Sequence, residues 1–121
     1  MSELDSILLS FFNHQITIKM YHFQTKTYGA HKTSDTYLSG FLEKMDRFIE
    51  IGQGIYGTVT LNKVNISIKT VDDKTIFDEL EFFIKMLRKC DNIIGKYPEL
   101  LNIRDEMLGD AEQLKYLLHF K

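Results

Sequence analysis

Cysteine, proline and tryptophan are almost missing from this 121-residue chain: there is one cysteine (Cys90), one proline (Pro98) and no tryptophan. A lone thiol excludes an internal disulfide and a cysteine-based zinc module, and it points to a reducing compartment. With a single proline, long helices can run without interruption. An excess of one charge is also missing. Fifteen Lys and Arg stand against 17 Asp and Glu, a net charge of −2, so no global basic field draws the chain to nucleic acid. Long apolar runs are absent too. Ile7-Leu8-Leu9-Ser10-Phe11-Phe12 gives way at once to Asn13-His14-Gln15; it is too short to span a bilayer and lacks the basic flank of a signal peptide. These absences lead us to expect a soluble, intracellular protein without a membrane partner.

What is present is a normal globular balance, 44% apolar and 26% charged residues, sized for one domain over residues 1–121. Apolar residues recur at helical spacing in four stretches, about 3–26, 31–51, 74–94 and 98–119. Ser2 can cap the first, with Asp5 three positions on. That first stretch carries a second apolar strip, Leu9, Phe12, Ile16, Met20 and Phe23, which calls for a second neighbour or another subunit. Gly52 and Gly54 mark the expected end of the second stretch, and Pro98 the first turn of the fourth. Between residues 58 and 71 the period changes to two. That pattern admits a β-hairpin turning at Asn62-Lys63, in an α+β domain, or one extended strap. Fourteen residues at about 3.3 Å reach roughly 46 Å, more than the ~30 Å of a twenty-residue helix. The expected fold is therefore all-α: an antiparallel four-helix bundle with one long crossover, about 58–71, between helices two and three, the ferritin-like connectivity.

Metal ligands in such bundles are histidines and carboxylates on facing helices. Of the four histidines, His22 lies near the end of the first helix and His31 opens the second across a short turn. Asp46 and Glu50 are one helical turn apart and share one side of the second helix. They sit roughly 22 to 28 Å along that helix from His31, so one copy cannot bring the two pairs together. A two-fold related, head-to-tail copy can, giving two identical sites of two histidines and two carboxylates. Such nitrogen and oxygen ligation suits iron, with manganese or zinc as alternatives. The plainer reading of Asp46 and Glu50 is a solvated acidic pair. Tyr21, Tyr28 and Tyr37 are expected near the site, and Asp110 or Glu106 could join the helix-two acids in a site within one subunit.

His22-Phe23-Gln24-Thr25-Lys26-Thr27-Tyr28, His31, Tyr37 and Asp46-Arg47-Phe48-Ile49-Glu50 together resemble the ferroxidase signature of Dps-type mini-ferritins. The fifteen-residue step from His31 to Asp46 and the four-residue step to Glu50 match that family, while the turn between His22 and His31 is tighter. The chain also resembles short ferritin-like proteins of phages and large DNA viruses, in its His-aromatic-Gln-Thr element and in Asn102-Ile103-Arg104-Asp105-Glu106. The resemblance implies an iron-binding viral or phage-type protein, resident in host cytoplasm or virion. It further implies Fe(II) oxidation by oxygen or peroxide, with His22, His31, Asp46 and Glu50 as metal and catalytic residues. The protein would be a homo-oligomer, at least a dimer and up to a dodecameric cage, serving iron storage or oxidative protection. No lysine-rich tail is present to support DNA binding. The alternative is a metal-free helical interaction or nucleoid-packing protein on the same bundle.

Overall fold

A computed structural model describes residues 1–120. Its elements are helices: α1 (Glu3–Gln24), α2 (Tyr28–Tyr56), α3 (Ile76–Lys89), the single turn α4 (Asp91–Ile94) and α5 (Pro98–Leu117). No strand forms among the described residues, so the 58–71 segment is a strap and not a hairpin. The reason is local. Val59 and Leu61 pack against the helical core and Val71 is buried in it, leaving no second strand for a ladder. Among the described residues Lys63 takes the one positive φ outside glycine, 38°, a bend without cross-strand pairing.

Helix ends follow their capping chemistry. Ser2 and Asp5 form a reciprocal capping box, Ser2 Oγ accepting from the Asp5 N–H and Asp5 accepting from the Ser2 N–H, with Asp in the place usually held by Glu. Thr27 caps α2 through the Ala30 N–H, which starts that helix three residues before the expected His31. The expected stop at Gly52-Gln53-Gly54 is also corrected: α2 runs through both glycines to Tyr56 and ends at Gly57, whose φ is 95°. Gly52 serves packing instead. A Cβ there would lie 2.8 Å from Leu4 Cδ1, so its absence lets α1 and α2 approach closely. Pro98 opens α5 as expected. The stretch expected as one helix over 74–94 is broken at Cys90 into α3 and α4.

Side-chain contacts give the course of the chain. Leu4 meets Gly52 at one end of the α1–α2 pair, and His22 meets His31 at the other, so these helices are antiparallel. The strap then runs back along α1. Its start is tied by Gln53 accepting from the Val59 N–H and Asp5 accepting from the Thr60 N–H. Its far end is tied by Gln24 accepting from the Val71 N–H and by Asp73, which accepts from Tyr21 Oη, Thr25 Oγ1 and the Lys26 N–H at 2.8, 2.6 and 3.1 Å. From there α3 descends antiparallel to α1, pairing Glu79 with His14 and Phe83 with Phe11. Finally α5 returns, placing Arg104 against Leu87, Lys115 against Glu81 and Asp110 against Lys44. The four long helices thus run up, down, down and up, and the crossover spans the bundle lengthwise.

The two aspartates at the strap's ends make its docking pH-dependent. Backbone N–H donation, first from Thr60 and then from Ser2, holds the Asp5 carboxyl below the ordinary 3.8. For Asp73, partial burial works upward, but the bonds from Thr25, Lys26 and Tyr21 outweigh it and leave this carboxyl lowered as well. A depressed folded-state pKa means stability that is fully present above the unfolded value and lost as pH falls through the folded one. The strap ends should therefore loosen below the ordinary aspartate value of 3.8. NMR titration of the Thr60 and Lys26 amides checks this: both should move with midpoints below that value, and midpoints above it would show that the carboxylates are not tied.

Candidate functional site

The α1–α2 turn is closed by two histidines that grip each other's backbone. His22 Nδ1 donates to the His31 carbonyl and His31 Nδ1 donates to the His22 carbonyl, each at 2.8 Å. The two rings lie nearly parallel, 3.8 Å between centroids and 19° between planes. Ser34, fully buried, adds its hydroxyl to the His31 carbonyl at 3.1 Å. Because a carbonyl only accepts, the neutral tautomer of each ring carries its proton on Nδ1, leaving the lone pair on Nε2. Among the described residues no protein group bonds either Nε2. This is the arrangement by which proteins orient an imidazole for ligation through its other nitrogen.

Asp46 and Glu50 are exposed on α2 and line a shallow groove with Leu8, Phe12, Met45, Ile49 and Gln53, between α1 and α2. Fifteen residues of helix separate Asp46 from His31, about 22 Å, so one copy brings His22 to His31 and Asp46 to Glu50 but does not bring the pairs together. Among the described residues no three His, Cys, Asp or Glu side chains of a single copy form a metal-binding group.

Other expectations are redirected. Asp110 does not meet helix-two acids: its partner on α2 is the ammonium of Lys44, a cation where a second ligand would stand. Glu106 is exposed. Of the tyrosines, Tyr28 is exposed with its ring 6.4 Å from that of His31. Tyr21 turns away to Asp73, and Tyr37 bonds a different histidine. Arg104, in the Asn102–Glu106 element, is structural. It is buried and donates to the Leu87 carbonyl at 2.9 Å, where α3 ends, while pairing with Asp91 and Asp105. Cys90 is buried, and burial pushes its thiol up to about 11, with nearby Arg104 only partly opposing. Such a thiol is a poor nucleophile near neutral pH.

Sequence reasoning missed the polar centre of the bundle. His14 is 1% exposed, sandwiched on the Phe83 ring (3.6 Å, 5°) and edge-on to Phe41 (5.1 Å). Its Nδ1 lies 2.8 Å from Glu79 Oε2 and its Nε2 lies 2.7 Å from Tyr37 Oη. Burial holds the imidazole below its ordinary pKa although Glu79 works the other way, so the ring is neutral. An ionised carboxylate only accepts, so Nδ1 carries the proton, and Nε2 is left to accept from the Tyr37 hydroxyl. A signal existed in the sequence: Ile7, Phe11, His14, Ile18 and Tyr21 follow one inward-facing spacing, with a histidine in the middle.

The described residues thus form an all-helical bundle protein with a histidine clasp at one end, an acidic pair on one face and a buried polar line through its centre. No described helix is long and apolar enough to cross a membrane. The chain belongs to a family of unknown function (DUF5856), whose profile matches residues 22–118. No curated protein and no solved structure matches it.

Proposed function

We propose that this protein binds Fe(II) between two copies of a ferritin-like bundle and oxidises it, with His22 and His31 of one copy facing Asp46 and Glu50 of the other. The observation that carries this reading is the reciprocal clasp, which among the described residues leaves both Nε2 atoms without a protein partner. The two carboxylates stand exposed one turn apart, free to balance the charge of a divalent ion. The up, down, down, up course with a lengthwise crossover is the connectivity associated with ferritin-like bundles. The half-exposed strip of Leu9, Phe12, Ile16 and Met20 beside exposed Phe23 supplies an apolar face for a second copy. Oxygen or peroxide would take the electrons, and the iron is substrate and cargo.

The second reading, a metal-free interaction protein, draws on the same clasp: two hydrogen bonds closing a turn are a sufficient structural reason for both histidines. Anaerobic Fe(II) titration with sedimentation analysis separates the two. The metal reading expects about one or two ions per subunit on a species at least dimeric. D46A/E50A should abolish binding and leave the helical signal intact, since both side chains are exposed. Absence of Fe(II) binding and oxidation by a folded dimer would overturn it.

A further inference from the structure

The line Glu79–His14–Tyr37 crosses the bundle from α3 through α1 to α2. At one end Glu79 borders a cavity of about 650 Å³ beneath the strap. At the other Tyr37 borders a groove of about 380 Å³ between α2 and α5, beside Lys44 and Asp110. A buried histidine between Phe41 and Phe83, flanked by half-buried Glu79 and Tyr37, is an expensive substitute for an apolar core, and the helix ends do not need it.

We propose that Tyr37 is a one-electron donor site, with His14 as acceptor of its proton and Glu79 as the positioning group that holds the imidazole. Oxidising a phenol makes its proton strongly acidic, so in a dry core the electron leaves readily only if a base is in place to take the proton. His14 Nε2, 2.7 Å from the hydroxyl, is that base. An oxidant of the peroxide-derived radical class takes the electron and becomes an anion. The phenolic proton crosses to Nε2, giving an imidazolium paired with the Glu79 carboxylate and a neutral phenoxyl radical on Tyr37. Returning one electron, for example from a thiolate, restores the starting state as the proton moves back. Burial pushes the Tyr37 phenol well above its ordinary pKa, with Asp110 and Glu79 adding to the effect, so loss of the proton alone is disfavoured. The neighbouring rings shield the radical: Phe41 lies parallel to Tyr37 at 6.2 Å.

Comparison within the chain supports the assignment. Tyr21 donates to a carboxylate, Asp73, and Tyr56 to the Ile93 carbonyl, both weaker proton acceptors than an imidazole of ordinary basicity; burial lowers the basicity of His14, and the Glu79 carboxylate beside it works the other way. Among the described residues Tyr37 is the tyrosine whose hydroxyl faces a histidine nitrogen. The inference stands on these core residues and does not depend on iron being bound.

Flash photo-oxidation of the iron-free protein by a ruthenium(III) polypyridyl complex, read by electron paramagnetic resonance, provides the test. Wild type should yield a long-lived neutral tyrosyl signal. Y37F should lose that component, and H14Q, which keeps a hydrogen-bond acceptor but not a base, should reduce its yield about ten-fold or more. In wild type alone, double resonance after exchange into D2O should show one strongly coupled deuteron together with a histidine nitrogen. A long-lived signal unchanged in Y37F would overturn the proposal. So would wild-type resonance lacking the histidine coupling, a result that holds even if a variant fails to fold.

Discussion

Replacing Phe11 with alanine should cost about 3–5 kcal/mol of folding stability, among the largest effects expected from a single truncation. Phe11 is fully buried and meets three other rings edge-on, Phe41 at 5.8 Å, Phe48 at 5.3 Å and Phe83 at 6.3 Å. These rings come from α2 and α3, so one side chain joins three helices. The cavity left behind cannot readily collapse, because its walls are stiff aromatics held on two other helices. Domains of this size are stable by about 5–15 kcal/mol, so the variant would lose about a fifth or more of the total and melt roughly 10–20 °C lower. Urea unfolding followed by circular dichroism measures it directly. Phe82→Ala serves as the control: that ring is 69% exposed and its loss should fall within about 1 kcal/mol. Equal effects from the two truncations would refute the placement of Phe11 at the centre.

Arg104→Met should cost about 2–3 kcal/mol, and for a different reason. The guanidinium is 9% exposed and reaches the Leu87 carbonyl, one of the acceptors released where α3 breaks at Cys90. Helix C-termini leave their last carbonyls without helical partners, and a cation there satisfies both the lone pair and the negative end of the helix dipole. Methionine keeps the apolar stem but removes the charged donor, leaving the Leu87 carbonyl with the Cys90 N–H alone at 3.2 Å, at the typical penalty for losing a charged hydrogen bond. The ion pair with Asp91 contributes little by comparison, since that carboxylate is 64% exposed and is screened by water. A double-mutant cycle with Asp91→Asn should therefore show coupling below about 1 kcal/mol. Coupling as large as the whole Arg104 effect would mean that the pair, and not the carbonyl, is what the arginine serves.

The two residues also show where the sequence speaks and where it falls silent. Phe11 lies on the inward spacing of α1, and its burial follows from period alone. Arg104 stands beside the oppositely charged Asp105 and Glu106; its spacing from Leu100 and Met107 puts it on the inward face, but nothing in the run from Asn102 to Glu106 says what it meets there. That depends on a carbonyl seventeen residues earlier in the chain.

The same division holds across the molecule. Helices, the Ser2–Asp5 cap, Pro98 at the start of α5 and the length of the crossover were legible because each depends on neighbours within a few residues: a repeat of 3.6, a side chain reaching three positions, a ring that fixes φ. The true end of α2 was not legible, because Gly52 breaks no helix here and instead makes room for Leu4, a contact across the fold. Choosing strap over hairpin likewise required seeing Val59, Leu61 and Val71 seated on helices. His22 and His31 were suggestive from spacing, but their mutual grip on backbone carbonyls is a matter of how a turn folds back. The Glu79–His14–Tyr37 line joins residues 65 and 23 positions apart, on three helices. Local chemistry determines which segments curl and where they are capped; only packing decides which polar groups must find one another once water has been excluded.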